Sequence, residues 1–180
     1  MRIISGKLKG IRFSPPKSFP SRPTTNFAKE ALFNIIHNEF NIDNIRVLDL
    51  CAGTGSISFE FASRGALSVT SIDTHGPSLN FIEKTAEKHA LTQIETRKQD
   101  VLKFLEQTTN EYDLIFADPP FAYDQYAEII RIVFERNLLS AKGLLILEHD
   151  KSNDFSDVKQ FIYLRNYGGV NFSFFEYGEE

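Results

Sequence analysis

The stretch that most limits what this chain can become is Val47-Leu-Asp-Leu-Cys-Ala-Gly-Thr-Gly-Ser-Ile-Ser-Phe-Glu60. The apolar run from Ile45 to Leu50 is long enough for a buried strand, and it breaks at Gly53-Thr54-Gly55. Residues Ser56 to Ser63 then read as a helix. Strand, glycine turn and helix open a βαβ nucleotide-binding unit. Glycine lets such a turn adopt positive φ and lets a ligand approach bare backbone.

The rest of the chain repeats that alternation. Helical spacing of Ala28, Leu32, Ile35 and Ile36 predicts a helix over residues 26–40, with a threonine of Arg22-Pro23-Thr24-Thr25 available as its cap. Further strands are expected at Leu67 to Ile72, Ile94 to Arg97, Tyr112 to Ala117 and Gly143 to Glu148. Helices are expected from Gly76 to about His89, over 101–108 and over 124–138. Two strands flanking Gly168-Gly169 predict a closing hairpin. The fold class is therefore α/β, a mainly parallel sheet with helices on both faces. Residues 2–14 predict a small N-terminal β-hairpin around Gly6 to Gly10, followed by a proline-rich link.

Length and composition narrow the setting. A chain of 180 residues suits one domain, and 42% hydrophobic content supports a core. Cys51 is the only cysteine, so no internal disulfide forms and a cytoplasmic location is expected. The N-terminus lacks the apolar core of a signal peptide, no run reaches membrane-spanning length, and the four histidines show no metal-ligand spacing. Net charge is −4, but unevenly spread. Residues 1–31 carry seven basic side chains against Glu30 alone, while the remaining 149 carry 13 basic and 23 acidic ones. A basic arm on an acidic body can bind phosphates, or it can simply be a soluble charged surface.

Ligands in such folds sit beyond the carboxyl ends of the strands. Asp49 with the glycine turn, Asp73, Asp100 and Asp118 all fall at or just after predicted strand ends, so they should share one rim. A dinucleotide fingerprint needs a third glycine where this chain has Ser58. Asp49 would repel a pyrophosphate but attract a cation. S-adenosylmethionine, with a sulfonium, an ammonium and no phosphate, fits better. Asp73 would accept from the ribose hydroxyls and Asp100 from the adenine amine; loop-start capping is the alternative for both. The run Asp118-Pro119-Pro120-Phe121 offers fixed acceptors for a planar NH₂ group and a ring on which a base can stack. Positioning and electrostatics could then carry methyl transfer without a metal.

Asp49-x-x-x-Gly53-x-Gly55-x-x-x-x-Glu60 with Asp118-Pro-Pro-Phe121 resembles the S-adenosylmethionine-dependent methyltransferases of exocyclic amines. The blocks Arg2-Ile-Ile-Ser-Gly-Lys-Leu-Lys-Gly10, Arg22-Pro-Thr-Thr25, Glu30-Ala-Leu-Phe-Asn34, Ser63-Arg-Gly-Ala66 and Tyr167-Gly168 are similar to the RsmD-type small-subunit ribosomal RNA guanine-N2 methyltransferases. That resemblance implies a Rossmann-like class I methyltransferase fold with a seven-stranded sheet. It implies 16S ribosomal RNA in an assembled small subunit as partner, with guanine 966 as the family target. Asp49, Ala52, Gly53 and Gly55 would then line the cofactor pocket, Asp73 and Asp100 would hold ribose and adenine, and Asp118 to Phe121 would hold a flipped guanine. Lys7, Lys9, Arg12 and Arg22, in a basic extension over residues 1–24, would meet the RNA backbone.

The chain departs from the family pattern in three places. Phe121 stands where Tyr is usual, Asn26-Phe27-Ala28-Lys29 replaces acid-Arg-Val-Arg, and Thr74-His75-Gly76 is atypical. His75 reads as a solvated loop residue and Cys51 as a small buried filler without a base partner. A DNA adenine-N6 methyltransferase and a silent RNA-binding protein of the same fold are the competing readings. The first usually needs a separate recognition region; intact Asp49, Asp73 and Asp118 argue against the second.

Overall fold

The computed structural model describes residues 1–20, 24–120 and 122–178. Helix α1 (Asn26–Glu39) begins where the Thr25 hydroxyl accepts the Ala28 N–H at 3.2 Å, a side-chain N-cap. Its Ala28, Leu32 and Ile36, spaced by one turn, are all fully buried. Strands β1 (Arg46–Leu50), β2 (Ser68–Asp73), β3 (Ile94–Lys98), β4 (Tyr112–Ala117) and β5 (Leu139–His149) alternate with α2 (Ser56–Ser63), α3 (Gly76–Lys88), α4 (Val101–Gln107) and α5 (Tyr126–Glu135). The closing hairpin is β6 (Phe161–Tyr167) and β7 (Val170–Phe175).

One seven-stranded sheet results, in the order β3-β2-β1-β4-β5-β7-β6. Strands β1 to β5 pair in parallel, and β7 runs antiparallel between β5 and β6. Chain order reverses direction between β1 and β4, the switch point where such sheets open a crevice. Successive side chains face opposite ways along a strand, so each strand feeds two cores. Val47, Leu114, Phe116, Leu144 and Ile146 pack with Leu32, Phe59 and Ile82 of α1, α2 and α3. Leu48, Leu50, Ile115, Leu145 and Leu147 pack with Phe104, Ile129 and Val133 of α4 and α5. The same alternation, continued from Val47 and Ile146, sends Asp49 and Glu148 to the α1–α3 face.

Helix α2 is buried on every side. A wholly buried helix needs partners for its polar groups, and Ser58, Glu60 and Ser63 all have them. The partners come largely from the N-terminal segment, which corrects the expected β-hairpin. Residues 1–13 contain a single antiparallel bridge, Arg2 to Arg12, and no strand. Ile3, Gly10 and Phe13 N–H still pair across the turn, with the Ile11, Ile3 and Met1 carbonyls, but the amides between them go to α2: Ile4 and Ser5 N–H donate to the Glu60 carboxylate at 2.9 and 3.0 Å. Lys7 N–H donates to the Ser63 carbonyl at 2.8 Å and Leu8 N–H to the Ser63 hydroxyl at 3.0 Å. Gly6, at φ +82°, sits so close that a Cβ there would lie 1.9 Å from the Ser63 oxygen. Among the described residues no helix is long and apolar enough to cross a membrane.

Candidate active site at the carboxyl ends of the strands

The glycine turn after β1 is built from strained backbone. Cys51 has φ +62°, Gly53 +52° and Gly55 +79°. Gly55 has a second reason to lack a side chain: a Cβ would lie 2.7 Å from Ile82 Cγ1 and 2.9 Å from Phe59 Cε2. A non-glycine residue at positive φ is uncommon and clusters at ligand sites. Cys51 is held there by its neighbours: the Ala52 N–H donates to the Ile72 carbonyl and Gly55 N–H to the Ala52 carbonyl. Burial and four surrounding carboxylates push the Cys51 thiol far up, so it stays protonated; the residue is only partly buried and lines the cleft, where a buried filler was expected.

Asp73, at the end of β2, ties two loops together. One carboxylate oxygen accepts from Gly53 N–H and the other from His75 N–H, both at 2.8 Å. It retains lone pairs for further donors. Asp49 lies one strand over and is buried. The Ser58 hydroxyl donates to it at 2.5 Å and is itself 2.7 Å from the Ser71 hydroxyl. Ser58, the residue that spoiled a dinucleotide fingerprint, therefore satisfies the acid that disfavours a pyrophosphate. Burial nevertheless pushes the Asp49 carboxyl up to about 7, with the Asp73 charge adding to it.

Asp118 follows β4, and its N–H donates to the Leu50 carbonyl at 3.2 Å, which stitches the two central strand ends together. Burial and the charges of Glu148 and Asp49 hold its carboxyl well above the usual carboxylate range. Pro119 is buried and Pro120 exposed. Phe121 and Arg22 lie outside the described residues. A small cleft of about 50 Å³ brings Asp49, Cys51, Ala52, Gly53, Thr24 and Asp118 onto one surface. Two halves of the sequence reading, the glycine turn and the Asp-Pro-Pro run, thus meet.

Other expectations land differently. Asp100 is exposed and caps α4, accepting from Lys103 N–H at 3.1 Å; neither it nor Asp73 lines the cleft. His75 is not a solvated loop residue: its ring accepts Ser78 N–H at 3.2 Å to cap α3 and packs edge-on against Phe19. Lys7, Lys9 and Arg12 are exposed, and none is in a salt bridge among the described residues. Lys9 borders a wider groove of about 580 Å³ between the N-terminal segment and α1, shared with Arg2, Asn26, Asn34 and Arg64. Lys29 does not belong to this basic surface. It is fully buried, donates to the Arg2 carbonyl at 2.7 Å and pairs with Glu60 at 3.4 Å.

Sequence reasoning passed over Glu148. It is the penultimate residue of β5, almost fully buried, and the Thr24 hydroxyl donates to it at 3.3 Å. Burial first, then the Asp49 charge, pushes its carboxyl up to about 7. The signal was present: an acid closing an apolar strand, the same pattern that singled out Asp49 and Asp118. Asp49, Asp118 and Glu148 crowd together with no salt-bridge partner among the described residues. No metal-binding group of acidic, histidine or cysteine side chains occurs among those residues either. The arrangement suits an organic cation carrying N–H donors.

Comparison with known proteins agrees. The family model described as Conserved hypothetical protein 95 matches residues 1–176. A ribosomal RNA small subunit methyltransferase D from Buchnera aphidicola is 33% identical over 84% of this chain and 77% of its own. The Haemophilus influenzae protein of that name is 34% identical over 84% of this chain and 79% of its own. A putative methyltransferase from Escherichia coli superposes with a TM-score of 0.84 over 97% of this chain and 96% of its own, at 24% identity. At 20% identity, a Thermus thermophilus 16S rRNA N2 G1207 methyltransferase in complex with AdoMet and guanosine superposes with a TM-score of 0.70, over 88% of this chain and 44% of its own. The chain has the Rossmann-like class I methyltransferase fold and belongs to the Conserved hypothetical protein 95 family, that of the ribosomal RNA small subunit methyltransferase D proteins.

Proposed function

We propose that this protein methylates the N2 amine of a guanine in 16S ribosomal RNA, guanine 966 by family analogy, by direct in-line transfer from S-adenosylmethionine to a flipped base. The observation that carries this reading is the cleft in which the β1 glycine turn faces Asp118. Ligand fit supports the cofactor: the two carboxyl groups that line the cleft, Asp49 and Asp118, favour a cation over a pyrophosphate. S-adenosylmethionine, when bound, supplies an electrophilic methyl group on a positively charged sulfur. Asp49, Ala52, Gly53 and Gly55 would line its pocket, while Asp73 would accept from ribose and Asp100 from adenine.

Asp118 and the carbonyls stiffened by Pro119 and Pro120 would accept hydrogen bonds from the guanine amine. Fixed acceptors on both N–H groups favour a tetrahedral nitrogen and free its lone pair, which is otherwise delocalised into the ring. Phe121 would stack on the base. Flipping is required because the amine is not reachable inside a stack. The segment 1–24, with Lys7, Lys9, Arg12 and Arg22, would hold the RNA backbone. The substrate would be an assembled small subunit in the cytoplasm, and no metal takes part.

The test is labelled methyl transfer to naked 16S RNA, 30S particles, DNA and peptide, with mapping of the product. Label at a guanine N2 of 16S RNA is expected, and Asp118→Ala should abolish it while S-adenosylmethionine still binds. Label confined to DNA or peptide overturns the reading.

A further inference from the structure

Glu148 is a nearly inaccessible acid that the proposed chemistry leaves unused. In the parallel pairing of β4 and β5, Ala117 lies opposite Leu147. Asp118 and Glu148, the next residues along, therefore lie side by side, Asp118 just past β4 and Glu148 still within β5, opposite Phe172 of β7. Glu148 does not line the cleft, whereas Asp118 does. One carboxyl faces the cleft and the other stands back from it, accepting from the Thr24 hydroxyl.

Among the described residues, the other groups around the pair supply no compensating positive charge. Asp49 faces both acids from β1, and Cys51 faces Asp118 from the glycine turn. Tyr126, on α5, feels both carboxylates, and its buried hydroxyl has no hydrogen-bond partner among the described residues. His149 turns its ring away, bonding the Asp150 carbonyl and the Ser173 hydroxyl at 2.7 and 2.8 Å. Two carboxyls in such a setting do not both ionise readily, and together they hold a proton more strongly than either alone.

Amine methylation generates a proton that needs somewhere to go. The nitrogen lone pair forms the new N–C bond as the C–S bond breaks and its electron pair passes to sulfur. The nitrogen is then cationic and must lose one of its two protons. We propose that Asp118 takes that proton as general base, and that Glu148 is a positioning residue which raises the basicity of Asp118 from behind. An isolated, solvated carboxylate would be a weak acceptor near neutral pH; a neighbouring buried anion makes it a better one. The inference rests on the amine-methylation reading, because only that chemistry releases the proton at this atom.

Glu148→Gln keeps the carbonyl oxygen that accepts from Thr24 and removes the charge. Two measurements separate this inference from the reading beneath it. The first is infrared titration of the protonated-carboxyl band in the ligand-free protein, with Asp118→Asn used to assign the Asp118 band. Glu148→Gln should lower the Asp118 midpoint by about one pH unit or more, the scale of a close carboxyl pair. An unmoved midpoint overturns the pair whatever the substrate proves to be. The second is the pH profile of single-turnover methyl transfer to the substrate the wild-type protein modifies. Glu148→Gln should move its ascending limb to lower pH by the same amount and reduce the plateau rate several-fold, with cofactor affinity nearly unchanged. A reduced plateau with an unshifted limb, or an unaltered profile, reduces Glu148 to a packing role and overturns the proposal.

Discussion

Removing Glu60 should loosen the N-terminal segment and cost a large share of the protein's stability. Its buried carboxylate accepts from Ile4 N–H, Ser5 N–H and Arg64 Nε at 2.9 to 3.0 Å, and pairs with the Lys29 ammonium at 3.4 Å. Glu60→Ala leaves a fully buried lysine without a counterion, worth about 3–5 kcal/mol when one partner of such a pair is removed. The two freed amides would add about 1–3 kcal/mol each if they stayed buried. Peeling the segment into water would relieve them, but it would expose Ile3 and Phe13 at about 1.5–3 kcal/mol each. The cheaper route, which also lets Lys29 reach water, limits the total to roughly 3–6 kcal/mol, against about 5–15 kcal/mol for a typical domain. Lys29→Met should cost much less, about 1–2 kcal/mol. It removes the buried cation, whose pKa is already lowered by desolvation, and Glu60 keeps Arg64 and both amides. Urea unfolding with linear extrapolation measures both variants. Hydrogen exchange at Ile4, Ser5, Lys7 and Leu8 should accelerate in Glu60→Ala, and RNA binding should fail while S-adenosylmethionine still binds. A loss below about 1 kcal/mol in Glu60→Ala, or a Lys29→Met cost equal to or above it, would refute the clamp.

Other outcomes follow from the same geometry. The Asp49 carboxyl is raised by burial to about 7, so the stability associated with its protonated form is complete below about pH 4 and lost as pH rises towards 7. Asp49→Asn, which can still accept from Ser58, should therefore gain on the wild type by up to roughly 4 kcal/mol across that window in thermal melts; a constant difference contradicts it. Cation binding should depress the raised carboxyls, so S-adenosylmethionine binding near pH 7 should release protons, seen as a buffer-dependent heat in calorimetry. Gly55→Ala meets Ile82 and Phe59 at 2.7 and 2.9 Å at φ +79°, and should cost about 1–3 kcal/mol and most of the cofactor affinity. Charge reversal at exposed Lys7, Lys9 and Arg12 should leave the melting temperature unchanged. It should flatten the salt dependence of RNA binding by roughly 0.7–0.9 in log–log slope per lost phosphate contact.

The elements that sequence reading located best carry their own local signal. Apolar runs with an Asp at or next to their last residue mark β1, β2 and β4, and the predicted 26–40 helix is α1, Asn26–Glu39. The N-terminal hairpin shrinks to one antiparallel bridge because alternation in residues 2–12 does not report which amides turn away: Ile3 N–H pairs across to Ile11, whereas Ile4 and Ser5 N–H bond Glu60. Lys29 was counted with an exposed basic arm because charge alone does not report a buried counterion thirty-one residues away. Glu148 was overlooked because its chemistry comes from a neighbour, Asp118, that is thirty residues distant in the chain and adjacent only across the β4–β5 pairing.

The sequence by itself determined the order of strands and helices, the glycine turn and the Asp-Pro-Pro run, because hydrophobic period and backbone stereochemistry act over a few residues. It also carried the family, since those motifs keep their spacing along the chain. Tertiary structure alone decided which acids share a cleft, which cap a helix and which charges are hidden. Burial and charge–charge distance set those roles, and both are properties of neighbours that only the folded sheet brings together.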